Sequence, residues 1–423
     1  MKLNLNFATK NILKTDPKNY VKIDIDVSDE KNNIKQSTER KPVFLIPVID
    51  RSGSMSQSLS HSHDFSMRNS KLECAKNATK ELIDLLIDGD KIAIVTFDDM
   101  ISVVQNPITI NKSAKKEIFQ NINKIASGGC TNISDAIKTA NDLFTKADAE
   151  KYNCKIVLLS DGYANAGFDR SEQFIPLMCD ILSKGISTST VGIGIDYDLD
   201  IMETISNNCA GSFTHVSNAN EIKDVFATEL KTTQSIVARD TILKIKLPDL
   251  VSFKPNLNNF VETTDKDFVT LNFGNLYNNK TIYYEFEALD TTAEKIKIEI
   301  SLSCETESGK KELSISEELM FVSDKKDLIE NSDIIKEILE TVRDRYNYEA
   351  AKAYSLKDSV CANNCFVSAS NTINSISASY TSASACASAI NSEMTATSCC
   401  YAASSDDELR SNVSSISKKL RNS

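Results

Sequence analysis

Two carboxylates and three hydroxyls in this chain have the types and spacing to hold a hard divalent cation. Asp50-Arg51-Ser52-Gly53-Ser54 follows the apolar run Val43 to Ile49. Ser160-Asp161-Gly162 follows a second run, Lys155 to Leu159, and between them the loop Ser127-Gly128-Gly129-Cys130 leads into Thr131. The candidate donors are all oxygens, with no sulfur or imidazole, and that set selects Mg²⁺ or Mn²⁺. Hydroxyl ligands bring no charge. If Ser52, Ser54 and Thr131 bind directly and one or both aspartates act through water, the ion stays electron-poor. It then keeps an open position with affinity for a partner's carboxylate, which a cage of three or four carboxylates would quench. Gly53, Gly128 and Gly129 allow the backbone close to such an ion.

The elements that must position these residues follow from periodicity. Val43 to Ile49, Lys91 to Phe97, Lys155 to Ser160, Ser187 to Ile193 and Ser212 to Val216 read as strands, with a short edge strand at Ile101 to Val104. Helical spacing falls between them at Leu72 to Ile87, Ala114 to Ile125, Asp135 to Phe144, Glu172 to Leu182, Leu199 to Asn207 and Glu221 to Thr232. Strands alternating with helices predict a doubly wound α/β sheet over residues 40–235. Ligands of such sheets bind outside the carboxyl ends of the strands, where all three loops lie.

After residue 236 the period changes to two. Thr241 to Leu247, Phe268 to Phe273, Thr281 to Leu289, Lys295 to Leu302 and Lys311 to Leu319 predict an antiparallel β-sandwich over 236–322. Residues 1–39 carry one alternating stretch, Val21 to Val27, which is expected to join that later sandwich, so that the α/β domain is inserted into the β domain. Residues 323–423 read as helical: Ile334, Ile335, Ile338, Leu339 and Val342 form one stripe, and a Ser/Ala/Cys-rich stretch and a last helix from Asp406 follow. The tail is expected to be a helical hairpin, with disorder as the alternative.

Asp50-Arg-Ser52-Gly-Ser54-Met, Gly128-Gly-Cys-Thr131-Asn-Ile and Leu158-Leu-Ser-Asp161-Gly-Tyr together resemble the metal-ion-dependent adhesion site (MIDAS) of the von Willebrand factor A (VWA) domain family. Thr190 to Gly194 is similar to that family's late strand. The resemblance implies a Rossmann-like domain with Ser52, Ser54 and Thr131 as direct metal ligands and Asp50 and Asp161 as direct or water-bridged ones. The remainder resembles a microbial subset in which a β-sandwich and a helical end follow the A domain, with Asn272 to Lys280 similar to the sandwich's turn.

Other readings of the same residues are weaker. Asp50 as an aspartyl nucleophile would want a second Asp two residues on, where Ser52 stands. A serine hydrolase lacks its G-x-S-x-G, and the only histidines are His61, His63 and His215. His61 and His63 lie in an extra loop, Ser56 to Asn69, which reads as a solvated insertion at the rim of the metal face. Asp196, Asp198 and Asp200 read as caps for the helix near Leu199, Cys130 as a small packing residue, and the Ile334 stripe as core.

Composition narrows the partners. The 423 residues hold 59 acidic and 48 basic side chains, a net charge of -11, with no basic patch for nucleic acid. No stretch approaches the roughly 20 apolar residues of a membrane span, and the first residues lack a signal-peptide core. Eleven cysteines without a CxxC pair suggest reduced thiols and a cytoplasmic location. The expected function is non-enzymatic: an adhesion or scaffold module that grips a partner's Asp or Glu through the bound ion. The alternative is an accessory subunit of an ATPase-driven metal-insertion or remodelling complex. No GxxxxGK[ST] is present, so its motor would be a separate chain.

Overall fold

The structure, a computed structural model, describes residues 1–31, 40–58 and 70–422. The chain forms two compact units: Met1–Asn32 with Thr241–Phe273 and Asn278–Ser423, and Asn33–Asp240 with Gly274–Tyr277.

The second unit is an α/β layer structure. Its sheet has six strands in the order 101–109, 91–97, 43–50, 153–160, 187–193, 213–216. All neighbours are parallel except the edge strand Ile101–Thr109, which runs antiparallel to Lys91–Phe97. Sequence had this edge strand ending at Val104; it runs five residues further, to Thr109. Parallel strands covered on both faces are buried along their whole length. Accordingly Val43–Asp50, Asn153–Ser160 and Ser187–Ile193 are buried at every position. Helices Lys71–Leu85, Lys112–Asn123 and Ala219–Gln234 contribute Leu82, Ile118 and Phe226 to a core shared with Leu45, Ile92, Val157 and Val191. The strand order reverses at Val43–Asp50, whose two neighbours lead to opposite sides of the sheet. That reversal opens a crevice at its carboxyl end, where Asp50 sits.

The other unit is a β-sandwich with a helical end. One sheet has the order 2–7, 18–26, 280–288, 251–253, and the other 262–264, 268–276, 238–246, 295–306, 309–322, 11–13. Lys18–Asp26 pairs antiparallel with Lys280–Ala288 over eight positions, Lys280↔Ile25 to Glu287↔Lys18. It also pairs with Lys2–Phe7, a strand that the sequence did not announce. Asn272 to Leu276 continue a strand rather than forming a turn, which is confined to 277–279.

The tail is four helices: Ser332–Ser355, Ser359–Ser379, Ser384–Ala403 and Asp406–Asn422. Ile334, Ile338 and Val342 pack with Ile373, Ile390 and Met394 from the next two helices, and with Tyr20 and Tyr283 of the sandwich. The tail therefore shares a core with the sandwich. Among the described residues, no helix is long and apolar enough to cross a membrane.

Candidate metal centre

Asp50 ends the central strand and has no exposed surface. Its Oδ1 accepts the backbone N–H of Ser52 at 2.8 Å and its Oδ2 accepts the hydroxyl of Ser160 at 2.6 Å. Sharp turning within Ser52–Ser56 then sends the chain back across the strand end. A single 3₁₀ turn, Gly53–Ser56, does this, with Met55 anchored in the core. The Ser52 and Ser54 hydroxyls lie 3.2 Å apart, and Ser54 donates to Asp161 Oδ1 at 2.7 Å. Asp161 follows the neighbouring strand directly and is also fully buried.

The Gly128–Thr131 loop closes the third side. Gly53 N–H donates to the Gly129 carbonyl at 3.1 Å, and Gly128 N–H to the Arg51 carbonyl at 2.7 Å. A Cβ on Gly128 would stand 1.7 Å from Asp98 Oδ2, so the loop can pass there only without a side chain. Thr131 is buried, and its N–H donates to Asn165 Oδ1 at 2.7 Å. Its hydroxyl is 3.3 Å, and that of Ser54 3.7 Å, from the point where a Cβ on Gly162 would stand. The five candidate ligands thus meet at one place, from three loops.

Several residues at this place escaped sequence reasoning. Ser160 bonds Asp50, and Lys71 Nζ lies 2.7 Å from Asp161 Oδ2. Arg51 pairs with Asp98 at 3.0 Å, and Asp98 Oδ2 accepts Gly129 N–H at 3.1 Å, which fixes the glycine loop. Burial raises the Asp98 carboxyl, but the Met100 and Gly129 N–H groups and Arg51 outweigh it and hold it below the usual range. Asp50 goes the other way. Burial, reinforced by the Asp161 charge, pushes its carboxyl up to about 6, against hydrogen bonds from Ser160 and Ser52. The signal that could have found Lys71 is its place: the first residue of a helix, immediately after the cap Ser70.

Other expectations fare differently. Asp198 caps its helix by accepting Ile201 N–H at 3.0 Å. Cys130 is exposed and packs nothing, because the loop that carries it lies at the surface. His61 and His63 lie outside the described residues. His215 is buried, with Nδ1 3.0 Å from the Tyr197 hydroxyl.

A divalent ion suits what is here. A desolvated carboxylate with a raised pKa favours a cation beside it, and every converging donor is a hard oxygen. Among the described residues, no cluster of three or more His, Cys, Asp or Glu side chains is placed to hold a metal.

Residues 45–164, which contain all five candidate ligands, match the family model of the von Willebrand factor type A domain. Residues 45–164 thus form a von Willebrand factor type A domain. This A domain and the rest of the chain share their fold with a von Willebrand factor type A protein from Catenulispora acidiphila. The TM-score is 0.67 at 13% identity, over 89% of this chain and 87% of that one. The ArnB paralog VWA2 from Sulfolobus acidocaldarius is similar over 99% of this chain and 98% of its own, with TM-score 0.62 and 15% identity. In sequence, the uncharacterized protein YfbK of Escherichia coli is 27% identical over 229 residues, 53% of this chain. The chain spans only 36% of that relative's length.

Proposed function

We propose that the A domain binds one Mg²⁺ or Mn²⁺ and uses it to capture a carboxylate on a partner protein. Ser52, Ser54 and Thr131 would hold the ion directly, with Asp50 and Asp161 as direct or water-bridged ligands. The bound ion supplies a Lewis-acidic position for an anionic ligand. The observation that carries this reading is the donor set: the centre offers three neutral hydroxyls beside two buried carboxylates. The role proposed is a non-enzymatic, adhesion or scaffold one. Ser160 donates to Asp50 and Ser54 to Asp161, which orients both carboxylates beside the hydroxyls. Eleven free thiols support a reducing, cytoplasmic location.

The test uses Mn²⁺ and acetate. Acetate should displace water from protein-bound Mn²⁺, seen as a fall in water-proton relaxation, in the wild type. In Thr131→Ala with Mn²⁺ still bound, the effect should be weaker, since the hydroxyl that helps hold the ion's open position towards the partner is gone. Equal acetate binding by both proteins, or none by the wild type, contradicts the capture mechanism.

A further inference from the structure

Lys71 occupies a position that local rules oppose. It is the first residue of the helix Lys71–Leu85, where the helix dipole disfavours a cation. Its side chain is only 6% exposed, so the ammonium is also desolvated. Ser70 already caps the helix by accepting Glu73 N–H at 3.2 Å, so the end needs nothing from Lys71. Among the described residues, what the ammonium does have is a fully buried carboxylate, Asp161 Oδ2, at 2.7 Å. Its Nζ also lies 3.5 Å from where a Cβ on Gly194 would stand, so that glycine leaves it room.

The two oxygens of Asp161 serve different partners. Oδ1 takes the Ser54 hydroxyl on the side of the candidate ligands, and Oδ2 takes Lys71. Lys71 therefore stands behind a ligand rather than among the ligands. Asp50 and Asp161 together carry two negative charges, and Lys71 cancels one. A divalent ion would leave the centre with one net positive charge. Without Lys71 the same ion would leave it neutral.

We propose that Lys71 is a positioning and charge-setting residue: it weakens the hold of the centre on its own cation and keeps the loaded centre positive, which favours an anionic ligand. This rests on the metal-binding reading above. It makes a prediction of opposite sign for two ligands. Removing the ammonium relieves its repulsion of the ion, so cation binding tightens; it also removes attraction for an incoming carboxylate, so that binding weakens. A Lys71 that serves only to hold the fold would weaken both.

The experiment titrates Mn²⁺ into the wild type, Lys71→Met, Lys71→Gln and Lys71→Arg, reading free Mn²⁺ by electron paramagnetic resonance. Acetate is then added and followed by water-proton relaxation. Lys71→Met and Lys71→Gln should bind Mn²⁺ roughly tenfold more tightly and acetate several-fold more weakly, while Lys71→Arg stays near the wild type in both. Mn²⁺ binding that is unchanged or weaker in the neutral variants, with circular dichroism intact, overturns the proposal. So does the loss of folding in both neutral variants while Lys71→Arg folds, since Lys71 is then a structural support. If the wild type binds no Mn²⁺, the metal reading falls, and this inference with it; if only the Lys71 effects are missing, the metal reading stands alone.

Discussion

Two buried lysine–carboxylate pairs flank one strand, Asn153–Ser160, and they are built to different ends. Near its amino end, Lys155 Nζ lies 2.6 Å from Glu229 Oε2, each side chain 7% exposed. The Ser189 and Ser212 hydroxyls donate to the same carboxylate at 2.9 and 2.6 Å. Beyond its carboxyl end, Lys71 holds Asp161 with the Ser54 hydroxyl on the other oxygen. There, however, a second carboxylate, Asp50, has no lysine of its own among its bonds. The carboxylates report the difference. Burial raises Glu229, but the charge and hydrogen bond of Lys155 and the two serines outweigh it, and it falls below the usual range. Asp50, raised by burial and then by the Asp161 charge, with only neutral hydrogen-bond partners to oppose them, rises to about 6. Both carboxylates are buried, so it is their charged partners that set them apart.

The largest effect expected from this contrast is at the balanced end. Lys155→Ala strands Glu229 without its cation and should cost about 3–5 kcal/mol in urea denaturation. Lys155→Met combined with Glu229→Met removes both charges and should recover most of that loss. A double variant as unstable as the single one would show that the pair itself stabilises the fold.

The acid limb of stability gives a second way to separate the two ends. Glu229 is depressed in the folded state, so its contribution is present above the unfolded value and is lost as pH falls through the folded one. Wild type should therefore lose stability on acidification more steeply than Glu229→Gln, measured by urea midpoints from pH 5 downward. Parallel curves would contradict the assigned role of Lys155.

At the unbalanced end the fold should not depend on the ion, because the strands beneath it are buried throughout and pack on an apolar core. Mg²⁺ at a hundredfold excess over its dissociation constant should add about 2.7 kcal/mol to the wild type and nothing to Asp50→Ala. Complete unfolding in chelator would make the centre structural. The smallest effect concerns Asp198, a cap with no bond to either pair. Asp198→Ala should cost about 1 kcal/mol and leave Mg²⁺ binding unchanged.

These contrasts also mark how far the sequence could be read. Continuous apolar runs such as Val43 to Ile49 identify parallel strands because burial on both faces favours apolar side chains along the whole strand. The candidate ligands were legible because each follows such a run or a glycine loop at short range. The Lys71–Asp161 and Lys155–Glu229 pairings were not, since partners 90 and 74 residues apart leave no local pattern. Lys2–Phe7 was missed although its partner was legible: the alternation from Val21 lies within Lys18–Asp26, and the pairing of the two strands leaves no mark in either one's own pattern. The tail was ambiguous because Ser, Ala and Cys give weak apolar periodicity. Small side chains such as Ala369, Ala383 and Ala387 nonetheless lie fully or nearly fully buried in its core.

The central claim is that the unbalanced end of the sheet holds one divalent cation. Titration calorimetry with Mg²⁺ on wild type, Asp50→Ala and the Lys155→Met/Glu229→Met double variant addresses it most directly. The account predicts one site per chain in the wild type and the double variant, and none in Asp50→Ala with its fold intact. Equal binding by all three proteins would contradict it.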